Sequence, residues 1–172
     1  MKKNIIFLIL FLLTGCVFKT VTPTKIPCPN VLFAAEHNKY ITGNTQPISV
    51  DKLNYKANIN NYSFNDDCSI MDDIVQIDLS ILFIVTPYQA EVSNVTLPFY
   101  VTVLNERKTL VDIQYYRVDG NLERDTETKK YIETELNTTI TVKILSQDHI
   151  RNSGNTIVVG FMLDKEKLDI LN

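Results

Sequence analysis

Apolar and polar positions alternate one for one in several separated runs between residues 31 and 163. That is the period at which successive side chains leave a strand on opposite faces. The clearest run sets Val75, Ile77, Leu79, Ile81, Phe83 and Val85 against Gln76, Asp78, Ser80, Leu82 and Ile84. Within 53–64, Leu53, Tyr55, Ala57 and Ile59 alternate with Asn54, Lys56, Asn58 and Asn60. Phe99, Val101 and Val103 alternate with Tyr100, Thr102 and Leu104; the polar Asn105-Glu106-Arg107-Lys108 then leads into a β-rich run over 110–118, which predicts a hairpin. Leu136, Thr138, Ile140, Val142 and Ile144 form another run, residues 156–163 supply the last strand, and 31–40 read as a strand without helix signals. Val118-Asp119-Gly120-Asn121 has the composition of a turn.

Two segments fall outside this alternation. Residues 122–134 are charged and admit a helix, but three threonines and a scarce apolar stripe favour an extended edge strand and loop. Asp164 is placed to cap a short helix over 165–171. About seven strands without crossover helices predict an all-β chain, an immunoglobulin-like antiparallel β-sandwich with a short C-terminal helix. The lack of tryptophan and the cysteine positions separate it from an antibody-type domain with its inter-sheet bridge.

The beginning of the chain follows a different rule. Lys2 and Lys3 precede an apolar stretch over 5–13, about 14 Å long as a helix. A bilayer core requires about 20 residues, so this is the pattern of a secretory signal helix rather than a span. It ends in Leu13-Thr14-Gly15-Cys16, which resembles the lipobox of bacterial lipoproteins. The resemblance implies cleavage of residues 1–15 and a covalent N-acyl and S-diacylglycerol lipid on Cys16, a multi-chain anchor that holds a protein stably on a membrane. Val17 stands where an aspartate would signal retention in some bacteria, which implies the periplasmic face of the outer membrane. Residues 16–27, polar and with Pro23 and Pro27, read as a lipidated cysteine and flexible tether, and 28–172 as the folded domain.

Composition narrows the picture further. Removing residues 1–15 from the 172 leaves about 157, one domain in size, and shifts the net charge from −3 to about −5 because Lys2 and Lys3 are lost. An acidic chain without a basic run is not built for nucleic acid. With Cys16 assigned to lipid, Cys28 and Cys68 remain and read as a disulfide; a metal site would need two more ligands, and the chain offers only His37 and His149. Asp66, Asp67, Asp72 and Asp73 around Cys68 lack calcium-loop spacing and read as solvated turns. No serine or free cysteine is suitably spaced for either histidine, and the five glycines form no phosphate loop, so the chain is expected to be non-catalytic and without a cofactor beyond its lipid.

What remains is aromatic. Tyr88, Phe99, Tyr100, Tyr115, Tyr116 and Tyr131 either pack the sheets or cover a surface, and Tyr100, Tyr115 and Tyr116 are the candidate interaction surface because Tyr115-Tyr116 puts one ring on each face of a strand. Together, "CPN" at Cys28, "DDCS" at Cys68, "LPFYVTVLNE" from Leu97 and "VVGFMLDKEKLD" from Val158 resemble a family of small bacterial envelope lipoproteins, in which a lipobox precedes a single β-sandwich domain opening with Cys-Pro. The resemblance implies a lipid-anchored envelope protein and no catalytic residues. The expected role is an interaction or assembly module, with an envelope protein or the cell wall as partner; the alternative is a peptidoglycan- or carbohydrate-binding lipoprotein.

Overall fold

A computed structural model describes residues 22–89, 92–145 and 154–171. The expected signal segment, Cys16, His149 and the first half of the expected tether (16–21) lie outside the described residues. In chain order the strands are β1 (Thr24–Lys25), β2 (Asn30–Phe33), β3 (Lys39–Gly43), β4 (Leu53–Phe64), β5 (Ser69–Met71), β6 (Ile74–Pro87), β7 (Asn94–Leu104), β8 (Leu110–Asn121), β9 (Thr134–Leu145) and β10 (Thr156–Phe161), followed by helix α1 (Lys165–Leu171).

The strongest alternating run becomes the central strand. β6 turns Val75, Ile77, Leu79, Ile81, Phe83 and Val85 inward, all without solvent exposure. β9 pairs along one side of it; β5 and then β4 share the other. With β1 beyond β5 and β3 beyond β4, this is a six-stranded sheet. The second sheet has the order β2-β10-β7-β8. Its inward residues include Phe99 and Phe161, whose rings lie 5.3 and 5.6 Å from that of Phe83 across the gap. The protein is therefore an all-β sandwich, and burial of each of these rings contributes about 1.5–3 kcal/mol.

A polar contact crosses between β4 and β7 of the two sheets. β10 pairs with β7 only as far as Phe99, so the backbone of Thr96 has no β10 partner. The Tyr55 hydroxyl from β4 takes that place, donating to the Thr96 carbonyl at 3.0 Å and accepting from its N–H at 3.1 Å.

The described residues hold ten strands rather than about seven, and the differences have local causes. The run over 31–40 is two strands, one in each sheet, parted by a 3₁₀ turn at Ala35–His37. Short β1 and β5 add to the six-stranded sheet, and β1 takes Thr24 and Lys25 from the expected tether into it. β2 runs parallel to β10, the exception in an otherwise antiparallel pairing. Residues 118–121 do not turn but end β8: Gly120 lies beneath Leu136, where an added Cβ would stand 2.5 Å from Cδ2. The glycine permits close approach rather than reversal. Of residues 122–134, 122–133 form a loop with an isolated bridge between Arg124 and Tyr131, not an edge strand, and Thr134 opens β9. The Asp125 carboxylate accepts from the N–H of Thr128 at 2.6 Å and of Glu127 at 3.1 Å, holding its tip.

The helix and the disulfide match expectation. Asp164 Oδ1 accepts from the Lys167 N–H at 2.9 Å, an N-cap bond to the third helical residue. Cys28 and Cys68 are bonded, with Cα atoms 5.2 Å apart. Cys28 sits where the chain passes from β1 in one sheet to β2 in the other, and Cys68 directly precedes β5, so the bond pins that passage to the six-stranded sheet.

Candidate interaction surface

The outer faces of the two sheets differ in chemistry. On the six-stranded sheet the middle of the outer face carries polar residues bonded to one another. Thr141 donates to Asp78 at 2.6 Å, Ser80 and Thr139 are 2.8 Å apart, and Ser80 also donates to Asn65 at 2.6 Å.

The outer face of the four-stranded sheet is apolar at its centre. The register places Leu32, Val158, Thr102 and Ile113 in one row across all four strands. The next row holds Gly160, Tyr100 and Tyr115, and the row on the other side holds Thr156, Leu104 and Leu110. Leu32, Leu110, Ile113 and Met162 are exposed, and Tyr115 is 62% exposed. These five side chains present on the order of 500 Å² of apolar surface, the size of the largest apolar patch on a typical monomer, which is often functional. The charges nearest to them within the rows, Arg117 and Asp119, bind each other at 2.7 Å. Thr96 and Arg117 hold the Asp119 carboxyl below the usual carboxylate value.

Two of the three predicted tyrosines belong to this face. Tyr100 pairs across the strands with Tyr115. Its ring lies over the β10 backbone at Gly160, where an added Cβ would come within 2.6 Å of its hydroxyl oxygen. The His37 ring meets the Tyr100 ring edge-on at 5.7 Å, and His37 Nδ1 donates to the Phe161 carbonyl at 3.0 Å. His37 is thus a packing group that closes the side of the Tyr100 ring.

Tyr116 points the other way, into the seam between the sheets. Its ring stacks on Phe99 at 5.4 Å and its hydroxyl donates to Gln114 Oε1 at 2.7 Å. Gln114 Nε2 in turn donates to the Lys143 carbonyl of β9 at 2.9 Å. Side chains from β8 thereby occupy carbonyls along the outer edge of β9, which would otherwise template pairing with another chain. Burial raises the Tyr100 and Tyr116 hydroxyls above the usual phenol value.

The other aromatic candidates serve elsewhere. Phe99 is core. Tyr88 and Tyr131 line a shallow cleft of about 320 Å³ with Pro87, Gln89 and Lys130, and the Arg124 guanidinium stands 5.2 Å over the Tyr131 ring. Asp67 pairs with Lys25, and Asp72 and Asp73 form the β5–β6 turn with positive φ. Among the described residues no three His, Cys, Asp or Glu side chains gather to hold a metal ion, and no helix is long and apolar enough to cross a membrane.

Leu32, Ile113 and Met162 were not legible as surface residues, because alternation separates two faces without saying which one is covered. Cross-strand register supplies that information. Comparison with protein-family models, curated proteins and solved structures finds no match, so the assignment of this surface rests on its own residues.

Proposed function

We propose that the chain is a lipid-anchored protein of the bacterial envelope that acts without catalysis, by docking the outer face of its four-stranded sheet against another envelope protein. The observation that carries this reading is the apolar centre of that face, three rows wide and bordered by a self-paired Arg117 and Asp119. A glycan-binding face needs carboxylates or amides beside the exposed ring. The register neighbours of Tyr115 are instead Tyr100, Ile113 and Arg117, with Pro98 and Thr102 beyond, which suits protein side chains better than sugar hydroxyls. The lipid on Cys16 supports the reading from the sequence side: a short tether raises the effective concentration of any partner on the same membrane, so weak contacts suffice.

The test is photocrosslinking in the native envelope. A reactive side chain at Tyr115 should capture a discrete protein, whereas one at Lys56 on the polar sheet should not. Ile113→Lys should abolish the product from position 115. Equal products from both positions, or recovery of the protein on purified peptidoglycan in a Tyr115-dependent manner, would sink the proposal. A soluble chain without residues 1–16 that fully replaced the native protein at normal expression would remove the anchor from it.

A further inference from the structure

The register of the six-stranded sheet fixes where the chain enters the fold. Thr24 lies opposite Ile70 and Lys25 opposite Ser69. Followed back toward the N-terminus, that register brings the chain out beside Met71 and the β5–β6 turn at Asp72-Asp73. Met71 is paired with Ile74, and Ile74 with Leu145, so the outermost row of the sheet at this end consists of three large apolar side chains. All three are exposed, Leu145 at 65%. The next outward-facing row is Lys25, Ser69, Gln76 and Lys143, and the one above it holds Asp78 and Thr141. On this face Leu82 and Ile84 are half-buried, and the exposed large apolar side chains of β5, β6 and β9 are those of the row nearest the point where the chain departs.

We infer that Met71, Ile74 and Leu145 rest in the headgroup region of the bilayer that carries Cys16, and so fix the orientation of the domain on its tether. This rests on the lipid anchor proposed above. Seven residues separate Cys16 from β1, a reach of at most about 25 Å, so the row stays within about that distance of the lipid and can be set down on the headgroups. Apolar side chains at the boundary with Lys143 in the row behind them match an interfacial surface, in which a lysine stem lies along the acyl boundary and its ammonium reaches phosphate; Lys25 of the same row is bound to Asp67. The Asp72 carboxylate at the turn limits depth and favours a zwitterionic surface over an anionic one. Such contact would be too weak to hold a free protein, but it needs only to orient one that is already tethered.

The chain has no tryptophan, so a single introduced one reports its own surroundings. Leu145→Trp and Tyr88→Trp variants of the full mature chain are placed on vesicles of brominated phosphatidylcholine. Tyr88 follows the far end of β6. Quenching at position 145 is expected to exceed that at 88 by about threefold or more, and to fall to the level of 88 when Met71→Ser and Ile74→Ser are added. Equal quenching at 145 and 88, or no response to the serine substitutions, overturns the inference. The mass of the mature chain tests the acyl groups on Cys16 separately. If they are absent, coupling a phospholipid to the free Cys16 thiol gives the same readout and decides the role of the row independently of the anchor.

Discussion

Opening the Cys28–Cys68 bond should cost the domain a large part of its stability. The bond closes a loop with a sequence separation of 40 residues, and the entropy it removes from the unfolded chain corresponds to about 4 kcal/mol. Whole domains are stable by about 5–15 kcal/mol, so between about a quarter and four-fifths of the margin is at stake. Urea unfolding followed by far-ultraviolet circular dichroism measures the loss. With a slope of about 2 kcal/mol/M, the midpoint should move down by about 2 M. Two perturbations separate cause from packing: reducing the native chain keeps both sulfur atoms, whereas Cys28→Ala with Cys68→Ala removes them from a site where Cys68 is buried. Both should shift the midpoint by similar amounts. A shift under about 0.5 M on reduction alone, with a large shift for the alanine pair, would refute loop closure as the source and assign the effect to core packing.

Three further outcomes follow from contacts described above. Tyr55→Phe leaves the Thr96 N–H and carbonyl without their partner and should cost about 1–3 kcal/mol; an unchanged melting curve would show that water replaces the hydroxyl at no cost. Burial raises the Tyr40 and Tyr55 hydroxyls, so above about pH 10 the unfolded chain releases protons that the folded chain retains; stability should be intact below that pH and fall above it, and Tyr55→Phe should make the fall shallower, which a pH series of unfolding midpoints checks. Gly160→Ala should displace the Tyr100 ring and cost about 1–3 kcal/mol by overpacking, a penalty that should shrink in a Tyr100→Ala background, where the His37 Cβ at 3.0 Å is the close neighbour left; strictly additive costs would mean the ring is not what the new methyl group meets.

Alternation revealed the strands whose two faces differ. β4, β6, β7 and β9 each bury one side, unlike β10, which is buried almost throughout, and the period of two marks these four along the chain. It was silent where the fold depends on distant partners. Nothing local breaks 31–40, because the break answers the Ala34 N–H bonding the Val159 carbonyl before the chain changes sheets. Asp119-Gly120 has turn composition, yet the position of Leu136 on β9 decides what the glycine is for. The same holds for the interaction surface: Tyr100 and Tyr115 were visible as aromatics, but the inward turn of Tyr116 depends on Phe99, Gln114 and the edge of β9. The apolar row Met71–Ile74–Leu145 joins residues from three strands, so no window of sequence displays it.

The parallel pairing of β2 with β10 sets an order of events for the growing chain. β10, near the C-terminus, fits between β2, near the beginning, and β7. The four-stranded sheet therefore cannot assemble as its strands emerge one after another; its middle stays vacant until β10 has been made. In a chain made from its N-terminus the β7–β8 pair precedes closure of the sheet, which waits for the β10 segment. A chain cut short before Thr156 would leave β2 and β7 each with an open edge, and the expected fate of such a fragment is proteolysis or aggregation rather than partial activity.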